Sequence, residues 1–172
     1  MTICKGLEPR RALSGRVDDV KVTHVSDIEG VYRDSGDRLW WALLAYTGDP
    51  EVAKDAAAEA YARAVAAADS IRDPAAWIWR VAFRVASAEI RQRRHVQLVQ
   101  EATYEIDDRA LEVLLALSKL SPRQRAAFVL FYLDDRTTEE IADLLAMSTA
   151  TVSVHLHRAR RRLRLILGDD DA

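Results

Sequence analysis

The sequence predicts an all-α fold: two small helical domains joined by a linker, with a helix-turn-helix in the C-terminal domain. About half of the 172 residues are apolar, and the chain has only six glycines and four prolines. Apolar residues recur every three or four positions, which is the period of an amphipathic helix. Cap residues followed by Pro, Glu or Gln mark several helix starts. These three observations favour helices throughout.

Charge and composition exclude several classes of protein. The net charge is only -2, but like charges are clustered in separate segments of the chain. Acidic residues cluster in 49–59, 101–108 and 169–171, and arginines cluster in 80–94 and 158–164. Cys4 is the only cysteine, and His155 and His157 are two residues apart, so we predict no disulfide, metal or cofactor. No apolar run is long enough to span a bilayer, and we expect a cytoplasmic protein without a membrane partner.

The first part of the chain divides into a loose extension and a helix. Residues 1–26 show no clear period, and we expect an extension without regular structure. An amphipathic helix is expected from Asp27 to Tyr46, with Gly36 as a candidate break. Gly48 then ends this helix, and Asp49 and Pro50 begin the next one.

The second predicted helix, to about Ala68, carries Asp55, Glu59 and Arg63 four residues apart on one side. This spacing fits an ion-paired surface or a docking face for another protein. The residues alone leave both interpretations open.

The third predicted helix starts at Asp73 and Pro74 and runs to about Arg94, with arginines along one face. Its members are Trp77, Arg80, Arg84, Ser87, Arg91 and Arg94. Guanidinium groups bind phosphates, and an aromatic ring stacks on unpaired bases, so the face suits a nucleic-acid strand. Alternatively, the tryptophan belongs to the core and the arginines are simply solvated.

Residues 96–109 lack a period and are acidic, which predicts a linker between a domain at 27–95 and a domain at 110–168. Over residues 111–120, apolar residues again recur at the spacing of a helix. Ser121, Pro122 and Gln124 predict the start of a helix that runs to Leu133. The acidic residues 169–172 form a tail.

Two short helices follow, with a cap at the start of each. Thr137 and Glu140 form a capping box, and Ser148 can cap the second helix. The second helix places Val152, Leu156, Ala159, Leu163 and Ile166 on a buried stripe. Because no acid occurs from Ser148 to Leu167, its exposed side is uniformly basic. Two short helices of this kind, the second of them basic, can place side chains in the major groove of DNA.

Three motifs together resemble bacterial sigma factors of the extracytoplasmic-function group. The residues from Ser121 to Leu163, which include EEIADLL and TVSVHLHRAR, resemble the promoter-reading domain of that group. The run GDPEVAKDAAAEAYARAV resembles its polymerase-docking region, and RDPAAWIWRVAFRVASAEIRQRR resembles its promoter-melting region. The match covers roughly residues 29–167.

The resemblance implies a non-enzymatic protein that binds RNA polymerase core, through the beta-prime clamp and the beta flap, and promoter DNA. It also allows an anti-sigma factor as a partner, and it implies no small-molecule substrate. The polymerase-binding residues would be Asp55, Glu59, Tyr61 and Arg63. The minus-10 residues would be Arg72, Asp73, Trp77, Arg80, Arg84 and Arg91. The minus-35 residues would be Thr138, Thr149, Thr151, Ser153, Val154, His157, Arg158 and Arg161.

Two other classes of protein compete with this interpretation. A helix-turn-helix regulator that acts without polymerase would bind paired half-sites about one helical turn apart. A recombinase or nuclease would need a nucleophile or a carboxylate cluster for metal, and Ser87 and the scattered acids show no such partners in the sequence.

Overall fold

The computed structural model describes residues 24–92 and 108–168, and all regular structure within these ranges is helical. The helices are α1 (Val25–Thr47), α2 (Pro50–Ala66), α3 (Pro74–Gln92), α4 (Asp108–Ser118), α5 (Pro122–Tyr132), α6 (Thr138–Leu145) and α7 (Thr149–Leu167), and a 3₁₀ turn lies at Ala68–Ser70. The predicted all-α class is confirmed. None of the described helices has the length and apolar character that crossing a membrane requires.

The junction between α1 and α2 forms as predicted. Gly48 adopts a left-handed conformation with φ 73°, and its N–H donates to the Leu44 carbonyl, which ends α1. The Asp49 carboxylate accepts from the N–H groups of Glu51 and Val52 at 2.9 and 3.2 Å, and Pro50 occupies the first turn. The chain therefore reverses sharply and lays α2 against α1.

We expect Asp49→Ala to destabilise the fold by about 1 kcal/mol, because two backbone N–H groups lose their side-chain acceptor. Equilibrium urea unfolding measures this loss. Asp49→Asn keeps an acceptor and should retain most of the stability. Asp55→Ala removes an exposed acid in the middle of the same helix and serves as the control. Equal unfolding midpoints for Asp49→Ala and Asp55→Ala would contradict the cap assignment.

The three predicted caps in the C-terminal half are also confirmed. Ser121 exchanges hydrogen bonds with Gln124 at the start of α5, and Thr137 does the same with Glu140 at the start of α6. The Ser148 hydroxyl accepts from the Thr151 N–H at 3.1 Å and starts α7. These caps set the entry of α6 and α7 and so fix the helix-turn-helix.

The helices pack as two groups that share one continuous core. Helices α1, α2 and α3 contact one another, and α7 contacts α4, α5 and α6. The groups meet where α1 packs on α4 and α5 and where α3 packs on α6. Trp79 and Phe83 of α3 are almost fully buried, as are Leu130 of α5 and Leu156 of α7. The two groups therefore form a packed body.

The structure corrects four details of the prediction. Helix α1 begins at Val25, because the His24 N–H donates to Asp27, and it continues through Gly36 without a break. Asp108 and Arg109 belong to α4 and not to the linker, since Asp108 suits the positive N-terminal end of a helix. Ile166 is 42% exposed because the last turn of α7 extends beyond its packing partners. Arg94 and the predicted linker residues 96–107 lie outside the described residues, as do 1–23 and 169–172.

Candidate nucleic-acid interface

Helix α7 presents a cationic face to solvent because its apolar side chains occupy the opposite side. Val152, Leu156, Ala159 and Leu163 are buried. Seven residues of the exposed side, called the α7 face below, are those predicted to contact DNA: Thr149, Thr151, Ser153, Val154, His157, Arg158 and Arg161. The structure thus brings seven of the eight predicted minus-35 residues together on one helix. The eighth, Thr138, is half-buried on α6, where its hydroxyl donates to Glu139 at 3.1 Å.

Two hydroxyl groups of the α7 face make hydrogen bonds within the first turns of the helix. Ser153 Oγ donates to the Thr149 carbonyl at 3.0 Å, and the Thr151 hydroxyl shares a hydrogen bond with Ser148 at 2.8 Å. The longer side chains, Arg158 and Arg161, therefore provide the reach and the charge of this face. Val154 is 46% exposed and adds an apolar contact surface.

A second basic surface runs along α3 and is called the α3 stripe. Its arginines Arg80, Arg84 and Arg91 are exposed, and Trp77 at its head is half-buried against the core. Both interpretations of the tryptophan are therefore partly met, since Trp77 packs against the core and is only partly buried. Ser87 has a structural role, because its hydroxyl donates to the Phe83 carbonyl at 2.6 Å and contacts the Tyr46 hydroxyl at 2.8 Å.

Arg72 and Asp73 precede α3 and are both exposed. Asp73 Oδ1 accepts a hydrogen bond from the Ala76 N–H at 3.0 Å, so this carboxylate caps the helix. Arg72 and Asp73 thus lie directly before the helix that carries the α3 stripe.

One side of α2, called the docking face, carries Asp55, Glu59 and Arg63 at a spacing of four residues, whereas Tyr61, two residues from Glu59, lies on a different side of the helix. Arg63 Nε lies 2.6 Å from Glu59 Oε1, and both side chains are about half exposed, so this part is an ion-paired surface. Tyr61 is half-buried and makes an edge-to-face contact with Tyr32, with ring centroids 5.2 Å apart. Burial raises the pKa of Tyr61 to about 12, so its hydroxyl stays protonated at neutral pH.

A cavity of about 620 Å³ lies between the helix groups beside the α3 stripe, and none of the α7-face residues lines it. Arg80, Arg84 and Arg91 line it from α3, and Arg123, Asp143 and His155 line it from the other group. Neither ring nitrogen of His155 has a hydrogen-bond partner among the described residues. Burial lowers the pKa of His155, and the nearby Arg123 and Arg158 lower it further. Four arginines and one acid line the cavity, so it is cationic even when His155 is neutral.

Sequence reasoning missed a set of charged residues at the junction of the two groups. Arg125 is only 5% exposed, and its guanidinium donates to the Tyr46 carbonyl at 3.0 Å and to the Ser118 and Leu120 carbonyls. Asp134, in the connection between α5 and α6, is also buried. Burial raises the pKa of Asp134, although Arg136 and Arg38 oppose this effect. Tyr46 lies far along the chain from Arg125, and Arg38 lies far from Asp134, so local periodicity could not predict these contacts.

Comparison with known proteins decides between the two classes of DNA-binding protein that the sequence left open. The family model Sigma-70, region 4 matches residues 110–163. The RNA polymerase sigma-E factor of Streptomyces coelicolor is 32% identical over 162 residues, with 86% of this chain and 91% of that protein covered. The ECF RNA polymerase sigma factor SigL of Mycobacterium tuberculosis is 30% identical over 168 residues, with 88% and 95% covered. The chain belongs to the extracytoplasmic-function sigma factors.

Solved structures support the fold of this sigma factor. The sigma factor RpoE of Bartonella quintana, in complex with the anti-sigma factor NepR, matches with a TM-score of 0.72 at 22% identity, covering 85% of this chain and 99% of that one. CnrH, in complex with the cytosolic domain of CnrY, matches with a TM-score of 0.67 at 23% identity, covering 85% and 90%. At these identities the likeness concerns the fold alone.

Proposed function

We propose that this sigma factor divides promoter recognition between its two basic surfaces and binds polymerase core through α2. The domain at 27–95 would hold core and the melted minus-10 element, and the domain at 110–168 would read the minus-35 duplex. The protein would act in the cytoplasm and contribute no catalytic chemistry of its own. An anti-sigma factor is included among the proposed partners because the structurally similar RpoE was solved with one.

The α7 face is the observation that carries this proposal. Its arginines are exposed opposite a fully buried apolar stripe, and two capped helix starts hold the helix-turn-helix in place. A recognition helix fits the major groove, where arginine can bind a guanine edge through two hydrogen bonds. The exposed Val154 can contact the methyl group of a thymine. These features match the requirements for reading a duplex.

The α3 stripe supports the capture of a single strand. Exposed guanidinium groups follow one side of the helix, and the partly exposed Trp77 stands at the beginning of the row. A melted strand offers phosphates for the arginines and an unstacked base for the indole ring. We therefore assign the minus-10 element to α3 and the residues directly before it.

Run-off transcription with purified core polymerase tests the proposed function. A promoter library should yield templates that are transcribed only when both the sigma factor and the core enzyme are present. Changing the minus-35 or the minus-10 sequence of such a template should reduce the transcript. If no template gives a transcript and the chain does not bind core, the proposed function is wrong.

Reversing charge on the docking face should weaken core binding. Asp55 is exposed, and it makes no ion pair with any residue in the described ranges, so Asp55→Lys leaves the Glu59–Arg63 pair intact. We expect about tenfold weaker binding to core, equivalent to about 1.4 kcal/mol, because like charges would face each other across the interface. Fluorescence anisotropy of the labelled chain measures this affinity.

Asp69→Lys provides a matched control for that experiment. Asp69 is an exposed acid on the 3₁₀ turn and lies outside the docking face. Its reversal changes net charge by the same amount and should leave core affinity within about twofold. A similar loss for both variants would show that only overall charge matters.

A further inference from the structure

The cavity between the helix groups has a positive lining that the protein leaves uncompensated. Its volume of about 620 Å³ lies within the range of about 300–1,000 Å³ that is typical of small-molecule sites. Among the described residues, the lining has a single acid, Asp143, and four arginines, Arg80, Arg84, Arg91 and Arg123. None of these five side chains forms an ion pair with another described residue. Clustered guanidinium groups without counter-charges attract an anion.

His155 is a further group of this lining that lacks a hydrogen-bond partner. Both of its ring nitrogens are buried, and neither meets a donor or an acceptor among the described residues. Buried polar atoms in proteins are normally paired, and the neutral imidazole carries one N–H donor. A turn of the ring toward the cavity would therefore find an acceptor for this N–H when an anion is bound there.

Apolar side chains form another part of the cavity wall. Ile90, Leu145 and Met147 line the cavity and are only partly buried, so they offer apolar surface to a ligand. Small-molecule sites usually combine such surface with a few polar groups that fix the orientation of the ligand. Guanidinium groups bind phosphates through paired N–H donors. The lining therefore fits a ligand that has phosphate groups at one end and an apolar or aromatic body at the other.

We propose that the cavity is a binding site for a small phosphate ester with an aromatic body, in the chemical class of the nucleoside diphosphates. Arg123 is the guanidinium group peculiar to this site, because it is exposed on α5 and belongs to neither the α3 stripe nor the α7 face. Arg80, Arg84 and Arg91 are shared with the α3 stripe. A bound ligand would withhold them from DNA, a consequence that rests on the proposed function.

Titration calorimetry of the full chain with adenosine diphosphate and with pyrophosphate tests the site. Both probes carry a pair of linked phosphate groups, so the difference in their affinities reports the contribution of the body. We expect adenosine diphosphate to bind about tenfold more tightly than pyrophosphate, because its ring buries apolar surface. Arg123→Ala should weaken this binding at least about tenfold, since a hydrogen bond to a charged group is lost. Arg164→Ala removes an exposed guanidinium group of α7 outside the cavity and should leave the affinity unchanged.

Asp143→Asn tests the charge of the cavity by a gain of affinity, which damage to the fold does not produce. Asp143 is exposed on α6 and is the one acid among the described residues of the lining. Its neutralisation should strengthen pyrophosphate binding about two- to fivefold, the range for exposed charge pairs. Asp69→Asn removes the same charge from the 3₁₀ turn, outside the cavity, and serves as the control. Equal affinities of the two variants for pyrophosphate would contradict an anion site in the cavity.

Run-off transcription with core polymerase separates this site from the proposed function. Arg123→Ala should transcribe like the parent, and adenosine diphosphate should lower the transcript of the parent more than that of Arg123→Ala. Loss of transcription together with ligand binding in Arg123→Ala would show that the cavity is only a part of the promoter surface. The proposed site is also wrong if the folded parent binds no adenosine diphosphate, or if pyrophosphate binds equally well. If no variant transcribes or binds core, the proposed function fails, and the titrations still decide whether the cavity binds the ligand.

Discussion

Trp77→Ala is expected to reduce transcription from a fully paired promoter by about 5- to 150-fold. Stacking of an aromatic ring on an unpaired base contributes about 1–3 kcal/mol, and this variant removes the partly exposed indole ring. On a template with a pre-melted minus-10 region the loss should be much smaller, because melting no longer depends on capture of the base. Run-off transcription on the two templates measures the difference.

The controls for Trp77 separate stacking from stability. Trp77→Phe keeps an aromatic face and should retain most of the activity. Trp41→Ala removes a tryptophan that is 48% exposed on α1, away from the α3 stripe, and should not distinguish the two templates. Thermal unfolding shows whether each variant is folded. Equal losses on paired and pre-melted templates would contradict a role for Trp77 in melting.

Removing both Arg158 and Arg161 is expected to weaken promoter binding by the polymerase complex at least about tenfold. The two guanidinium groups are exposed on the α7 face, and a well-placed arginine contact contributes about 1–3 kcal/mol. If both contact phosphates, the slope of log affinity against log salt should fall by about two. Binding of the unmodified chain to free DNA should be weak and should decrease steeply with salt.

Arg160→Ala with Arg162→Ala is the matched control for this experiment. Both residues are exposed on α7, but they flank the buried stripe and lie to either side of the α7 face. The double change removes the same charge from the same helix. An equal loss of affinity and of salt dependence in the two double variants would show that α7 acts through general charge and that the proposed face is wrong.

Local features of the fold were predictable because their physical causes lie within a few residues. The caps at Asp49, Ser121, Thr137 and Ser148 each combine a side-chain acceptor with N–H groups two or three positions later. The buried stripe of α7 follows from helical periodicity, apart from Ile166 in the last turn. Exposure of the arginines on α3 and α7 follows from the same periodicity.

Contacts between distant segments were not predictable from the sequence. Arg125 reaches a carbonyl 79 residues away at Tyr46, and Asp134 meets Arg38 of α1. A period of three or four residues says which side of a helix is buried, but not which helix covers it. For the same reason the sequence could not show that His155 lies beside the α3 stripe.

The most direct measurement of the central claim is site-specific crosslinking in the transcribing complex. A photoreactive amino acid replaces Ala88, beside Arg84 on α3, or Val154 on the α7 face, and the crosslinked nucleotides are mapped. We expect crosslinks from position 88 to the melted strand at the minus-10 element and from position 154 to the minus-35 duplex. Crosslinks from both positions to the same element would contradict the division of promoter recognition between the two surfaces.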